Sequence, residues 1–261
     1  MNYFVEGLQG SGKSTLVKKL AQRHPECTAL YEGDYSPVEL AWCAYVTLDQ
    51  YEKILEKYSL IRSEIEAKTT AEGDRRIICY TRVITDIPGF HKDLEQYEIY
   101  NNRVSYEMFR ETVVGRFARW HGDGMIFECS LFQNIVEDMI LFRNASDEEI
   151  LEFYKEIASA LEGREYRIFY IETPDIRANL EVIRKERSDE HGNEMWFPVM
   201  LDYFDNSPYA KANGLSGEEG LLKHLQHRQA LELRICREVF PGKVTVLRSK
   251  EYRWNIWFVR D

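Results

Sequence analysis

The feature that most constrains this chain is Gly7-Leu-Gln-Gly-Ser-Gly12-Lys13-Ser14, which satisfies G-x-x-x-x-G-K-S/T without a mismatch. It follows directly on the apolar run Tyr3, Phe4, Val5, and it precedes Leu16, Val17, Leu20 and Ala21 at helical spacing. The order is therefore strand, glycine loop, helix. Glycines let successive backbone N–H groups turn inward on an anion, and the helix that begins there adds its positive end. Lys13 brings an ammonium to the β- and γ-phosphates, and the Ser14 hydroxyl is the expected Mg²⁺ ligand. The expected nucleotide-binding residues are Gly7, Gly10, Ser11, Gly12, Lys13, Ser14 and Thr15, with ATP and Mg²⁺ as the cofactors.

Further strands are expected at 28–31, 75–83, 125–127, 166–171 and 244–247, with one more at the edge over 252–259. Helical spacing fills much of the rest. Ser36 followed by Pro37 reads as the start of a helical stretch running to about residue 71. The segment 91–120 is also helical in pattern, as is 221–239. Ser146 and Glu149 form a capping box, in which each side chain satisfies the other's backbone donor. Strands alternating with helices give an α/β fold with a parallel sheet of five or slightly more strands and helices on both faces. The stretch 35–123 is long for one crossover and is expected to be a helical insertion carrying substrate contacts. No composition shift marks a linker, so the 261 residues are expected to form a single domain.

Charge and cysteines narrow the function. The net charge of −10, with only short basic clusters flanked by acids, argues against a nucleic-acid groove. The five cysteines are widely spaced, which argues against a disulfide framework or a zinc site. No leader-like segment or membrane-length apolar run is seen, and a cytoplasmic location is expected. His224 and His227 stand three apart on a helix with no third ligand in view. The aromatic stretch 252–258 is expected to cover a sheet edge or a homodimer interface.

The loop and the scattered motifs around it resemble the small P-loop kinases: nucleoside and nucleotide kinases, gluconate and shikimate kinases, and phosphotransferases of the zeta-toxin and chloramphenicol type. The chain also looks like a group of uncharacterised bacterial P-loop proteins that carry the same E-G-D-Y-S-P and F-E-C-S segments. The resemblance implies phosphoryl transfer from ATP to a small-molecule acceptor. It places an acceptor-orienting carboxylate at the end of the second strand, where Asp34 and Glu32 stand beside Tyr35. It implies a Mg²⁺-shell role for Glu128, although Cys129 stands where nucleoside kinases have Arg in E-R-S. It also implies a lid over about 177–215, with Arg184 and Arg187 neutralising charge on the transferred group and Gly192 and Asn193 near its tip. Dense aromatics, Tyr35, Trp42, Tyr45, Phe90, Tyr97 and Tyr100 with Trp196, Phe197 and Tyr203, suit a planar acceptor such as a nucleoside or nucleotide. A hydroxylated metabolite or antibiotic stands close behind. The alternative is a nucleotide-dependent switch with slow hydrolysis, drawn from Asp86-Ile-Pro-Gly89, although no N-K-x-D is present.

Overall fold

The structure, a computed structural model, describes residues 1–249; the expected strand and interface stretch at 252–259 lie outside the described residues. In chain order, β1 (Asn2–Gly7), α1 (Lys13–Arg23) and β2 (Thr28–Leu30) come first. Next are β3 (Ala44–Thr47), α2 (Leu48–Lys57), α3 (Arg62–Ala67), β4 (Thr69–Glu72), β5 (Arg75–Ile78), α4 (Phe90–Glu95) and α5 (Tyr106–Arg119). Then follow β6 (Met125–Glu128), α6 (Gln133–Leu141), α7 (Asp147–Ala160), β7 (Tyr166–Glu172) and α8 (Ile176–Glu186). The last are α9 (Trp196–Asp205), α10 (Pro208–Asn213), α11 (Gly217–Glu238) and β8 (Val244–Arg248).

The described residues fall into two compact units, one of 1–29 with 121–249 and one of 30–120. The first is α/β, a five-stranded parallel sheet flanked by helices, with strand order β2-β6-β1-β7-β8. β1 is buried along its whole length, as a strand paired on both edges and covered on both faces must be. It runs parallel to β6 with Val5 opposite Glu128, and parallel to β7 with Gly7 opposite Ile171. The register matters because it carries the ends of β1 and β6 to the same level. The capping box of Ser146 and Glu149 opens α7, as the sequence implies. Among the described residues no helix is long and apolar enough to cross a membrane.

The second unit corrects the expected helical insertion. Its centre is a three-stranded antiparallel sheet, β3-β5-β4, with helices packed on it. Ser36 does not open a helix: its hydroxyl accepts from Val38 N at 3.3 Å and Glu39 N at 3.2 Å, closing a turn. β3 follows, and only at Thr47 does a helix start, under a capping box with Gln50. Antiparallel pairing of Ala44 with Ile78 joins residues 34 positions apart, so local periodicity carries no trace of it. The helical pattern at 91–120 is interrupted where Asn101 and Asn102 take left-handed angles (φ 59° and 55°), which asparagine tolerates better than most residues. Ala44, Val46, Ile54, Leu55, Ile78 and Phe90 form the centre of this unit's core.

Two carboxyl groups are buried in that unit. Glu39 Oε1 accepts from Ala41 N and from Tyr100 Oη, each at 2.6 Å, and burial pushes its pKa up to about 8. Glu98 accepts from Tyr80 Oη at 2.6 Å, and burial raises it to about 7. Both groups bind a proton more tightly folded than unfolded, where the reference value is 4.5. Their stabilising contribution is complete below that value and is lost as pH rises through the folded pKa values. The thermal midpoint is expected to fall between about pH 5.5 and about pH 8.5. Glu39→Gln, whose carbonyl can keep both hydrogen bonds, should make that fall shallower. An equally steep fall in the variant would show that Glu39 is not its source.

Candidate functional site

In the first unit the glycine loop leaves the carboxyl end of β1 and enters α1. Gly7 has φ 137° and Gly10 φ 71°, both in the left-handed range. A Cβ on Gly7 would lie 2.5 Å from Ile171 O, and one on Gly10 would lie 2.3 Å from Ile183 Cγ1. Only glycine meets both the angles and the space. Gly12 caps α1, also with a left-handed angle.

Lys13, the first residue of α1, folds back over the loop. Its ammonium donates to Gly7 O and Leu8 O, each at 2.8 Å, while the residue is only 6% exposed. Among the described residues no carboxylate forms an ion pair with it. A buried cation held by carbonyl dipoles alone is an electrostatic site for an anion. Ser11 is buried too. Its carbonyl accepts from Ser249 Oγ at 3.0 Å, but among the described residues its own Oγ meets no partner, and neither does Gln9 Oε1. Such orphaned polar atoms in a loop of this shape fit a polar ligand.

Ser14 donates its hydroxyl to Glu128 Oε1, at the last position of β6. A hydroxyl and a carboxylate oxygen brought together are a hard donor pair of the kind Mg²⁺ accepts, with phosphates and water completing its shell. Among the described residues no group of three or more His, Cys, Asp or Glu could hold a metal by itself. The donor set thus fits a metal that arrives with a phosphate ligand. Thr15 is exposed on α1.

Sequence reasoning missed Glu6. It sits one residue before Gly7, fully buried, and accepts from Leu131 N at 2.7 Å, Phe132 N at 3.1 Å and Gln133 N at 3.4 Å. Burial raises its pKa to about 7 against those backbone donors, which lower it. An acid inside the apolar run Tyr3 to Val5 and its glycine loop was the available signal.

α8 packs on the loop through two residues. Asn179 Nδ2 donates to Gln9 O at 2.8 Å, and Ile183 covers Gly10. The expected lid arginines are engaged elsewhere. Arg184 pairs with Glu194 at 2.8 Å and Glu218 at 3.1 Å and lies 4.3 Å from the Phe197 ring centroid. Arg187 lies 4.7 Å from the centroid of Trp196. Arg184 also lies 3.8 Å from Glu181 on its own helix, and the other partners of the two arginines belong to 194–218.

The second unit holds the expected acceptor residues. Asp34 Oδ1 pairs with Arg82 at 3.0 Å and Oδ2 accepts from Tyr31 N at 3.0 Å. Arg82 also donates to Glu32 O at 2.8 Å, and Glu32 Oε1 accepts from Trp42 Nε1 at 2.9 Å. Tyr35 Oη donates to Glu72 Oε1 at 2.6 Å, and the other Glu72 oxygen takes the buried Arg116, which also donates to Ser36 O. Glu32 and Asp34 thus share one polar cluster with Arg82, and Tyr35 belongs to a second with Glu72 and Arg116. Sequence reasoning missed Arg82, Glu72 and Arg116 because their partners are 37 to 80 positions away.

Several aromatics are structural. Phe90 is fully buried edge-on to Tyr58, and Tyr100 packs on Phe109. Ile87, Pro88 and Gly89 of the D-x-x-G segment line an open cavity of about 890 Å³ with Lys57, Tyr58 and Lys92. That segment belongs to the second unit, and the carboxylate that meets Ser14 is Glu128. His224 is buried against Glu137 at 3.3 Å, and His227 meets Asp147 at 2.8 Å, so each has a packing role.

No protein-family model matches the chain, and no curated protein matches it significantly.

The close approach at Gly10 gives a direct test of this geometry. Gly10→Ala should destabilise the protein by about 2 kcal/mol, from overpacking and a left-handed angle. Combined with Ile183→Ala, the two losses should be less than additive, because the side chain that the added methyl group would strike is gone. Strict additivity in denaturant melts would count against the packing of α8 on the loop.

Proposed function

We propose that the chain is a P-loop phosphotransferase that moves the γ-phosphoryl group of ATP, with Mg²⁺, to a small-molecule acceptor. A nucleoside or nucleotide is the leading acceptor class. The observation that carries this reading is the loop itself: left-handed glycines, a buried ammonium that no carboxylate among the described residues bonds, and a hydroxyl–carboxylate pair at one strand end. The sheet adds support. Counted among the parallel strands alone, the order is 2-3-1-4-5, and the loop leaves strand 1, where the order reverses. Ligands of open α/β sheets bind at such a switch point, beyond the carboxyl ends of the strands.

The roles follow from charge. Backbone N–H groups of Gly10 to Lys13 cradle the β- and γ-phosphates, and Lys13 exchanges its carbonyl partners for phosphate oxygens. Mg²⁺, when bound through Ser14 and Glu128, supplies neutralisation of the charge that develops between the β- and γ-phosphates. Asp34, each of whose oxygens accepts one bond and can accept another, is suited to orient an acceptor hydroxyl and take its proton as the phosphoryl group moves to the hydroxyl oxygen and ADP leaves. Glu32 and Tyr35 flank it. Arg184 and Arg187 can contribute to the transferred group only after releasing their present partners. The switch reading rests on Asp86 to Gly89, and Ser14 is served by Glu128 without that segment.

The test is ATP consumption with Mg²⁺ across nucleosides, nucleotides, sugars and aminoglycosides. One acceptor class should give saturable stimulation. Lys13→Ala should lose nucleotide affinity or turnover by about a hundredfold or more, with circular dichroism unchanged. Unaltered binding and turnover in that variant would remove the loop from the chemistry. Asp34→Asn should keep ATP affinity and lose the acceptor-stimulated part of turnover. Full stimulated activity in it would exclude Asp34 from acceptor handling.

A further inference from the structure

Resting on the phosphotransferase reading, we propose that Glu6 is a positioning residue for the metal side of the site. Its buried carboxylate holds the turn between β6 and α6, and so keeps Glu128 in place beside Ser14.

The turn's own side-chain bonds, Cys129 Sγ to Gln133 Oε1 at 3.5 Å and Asn134 Nδ2 to Cys129 O at 3.4 Å, do not reach the N–H groups of 131–133. Cys129, immediately after Glu128, has a left-handed angle of φ 58°, a costly conformation for a residue that carries a Cβ. α6 begins without a side-chain cap, since Phe132 at the cap position makes no such bond. Its first free N–H groups would be unsatisfied in a buried setting. Glu6 supplies what is missing from another strand: Oε1 takes Leu131 N, and Oε2 takes Phe132 N and Gln133 N. A carboxylate there also meets the positive end of α6.

β1 holds the turn a second time through its backbone, since Cys129 N donates to Val5 O at 3.1 Å. Ser130 Oγ donates to Glu128 O at 3.2 Å, and Tyr154 Oη to Leu131 O at 2.7 Å. Two consecutive residues of β1 thus fix the turn on either side of the strained Cys129. The next residue, Gly7, starts the phosphate loop and accepts from Lys13. A cap could have come from Ser or Asn at position 132. It comes instead from the residue that also fixes the start of the loop, so phosphate and metal sides share one anchor.

Glu6→Gln leaves one carbonyl oxygen for three donors and turns an NH₂ group toward N–H groups. The turn should then relax and Glu128 should leave Ser14, while the loop keeps Lys13 and its glycines. The measurement is calorimetric affinity for ATP, with Mg²⁺ and in a chelator, for the unmodified protein, Glu6→Gln, Glu6→Asp and Lys13→Ala. Glu6→Gln should lose about tenfold or more of the affinity gained from Mg²⁺. Its metal-free affinity should stay within about twofold, since Lys13 is not touched. Glu6→Asp, which keeps the charge on a shorter arm, should restore part of the gain.

A Glu6→Gln protein with an intact metal-dependent gain overturns the inference. So does one that weakens equally with and without metal, because that is the signature of a merely structural residue. If Glu6→Gln does not fold, Glu6→Asp is read alone, and an undiminished metal-dependent gain in it overturns the inference. Failure of the underlying reading gives a different pattern: no ATP binding in the unmodified protein, or no effect of Lys13→Ala. Either result removes the phosphotransferase reading and the role of Glu6 with it.

Discussion

An ammonium taken out of water must be met by dipoles or anions, and Lys13 is met by the carbonyls of its own loop. The chain can return on itself this tightly only because Gly7 and Gly10 take angles closed to other residues. Their lack of side chains also lets Ile171 O and Ile183 come close. The end of β7 and the face of α8 are therefore fitted to the loop, as β6 is through Glu128 and Ser14. The loop, its lysine and the neighbouring strand ends are thus matched to one another around the end of β1.

The second unit shows a different solution to buried charge. Arg116 is enclosed almost completely and is met by a carboxylate and a carbonyl, Glu72 and Ser36. Glu39 and Glu98 are met by hydroxyl and amide donors and are driven toward the neutral form by burial. Breaking one member of such a network costs more than the network contributes as a whole, because an uncompensated group remains inside. Tyr35 lies in the same network through Glu72, so the residue expected to flank the acceptor is held by a buried ion pair.

What could be read from the sequence follows the range of the interactions. The loop, the strands of the parallel sheet and the Ser146 capping box are signalled by neighbours within a few residues. Of the β3-β5-β4 sheet only β5 was legible, within the strand expected at 75–83; β3 and β4 were not, because the pairing of Ala44 with Ile78 leaves no local periodicity, and Thr47 restarts a helix that looked continuous with what precedes it. The same limit hid Arg82, Glu72 and Arg116. Glu6 was hidden differently: its position was in plain view, but its partners lie 125 to 127 residues on. For Arg184 the sequence suggested a cation free for phosphate, whereas Glu194 and Glu218 surround it. Composition alone counts charges without pairing them.

On the phosphotransferase reading, a chain of net charge −10 would take a polyphosphate against its own field at long range. At physiological salt that field is screened over about 8 Å, so the outcome is decided by contacts inside the site. There the described residues of the loop offer the Lys13 ammonium and the positive end of α1, which fall short of the charge on a free triphosphate. Arg184 cannot make up the difference without leaving the carboxylates of Glu181, Glu194 and Glu218. On the phosphotransferase reading, the deficit is met by the metal that the Ser14–Glu128 pair is suited to receive. The nucleotide would then enter already half neutralised. This places the burden of affinity on the carboxylate at the end of β6, and on whatever holds that strand end in register with the loop.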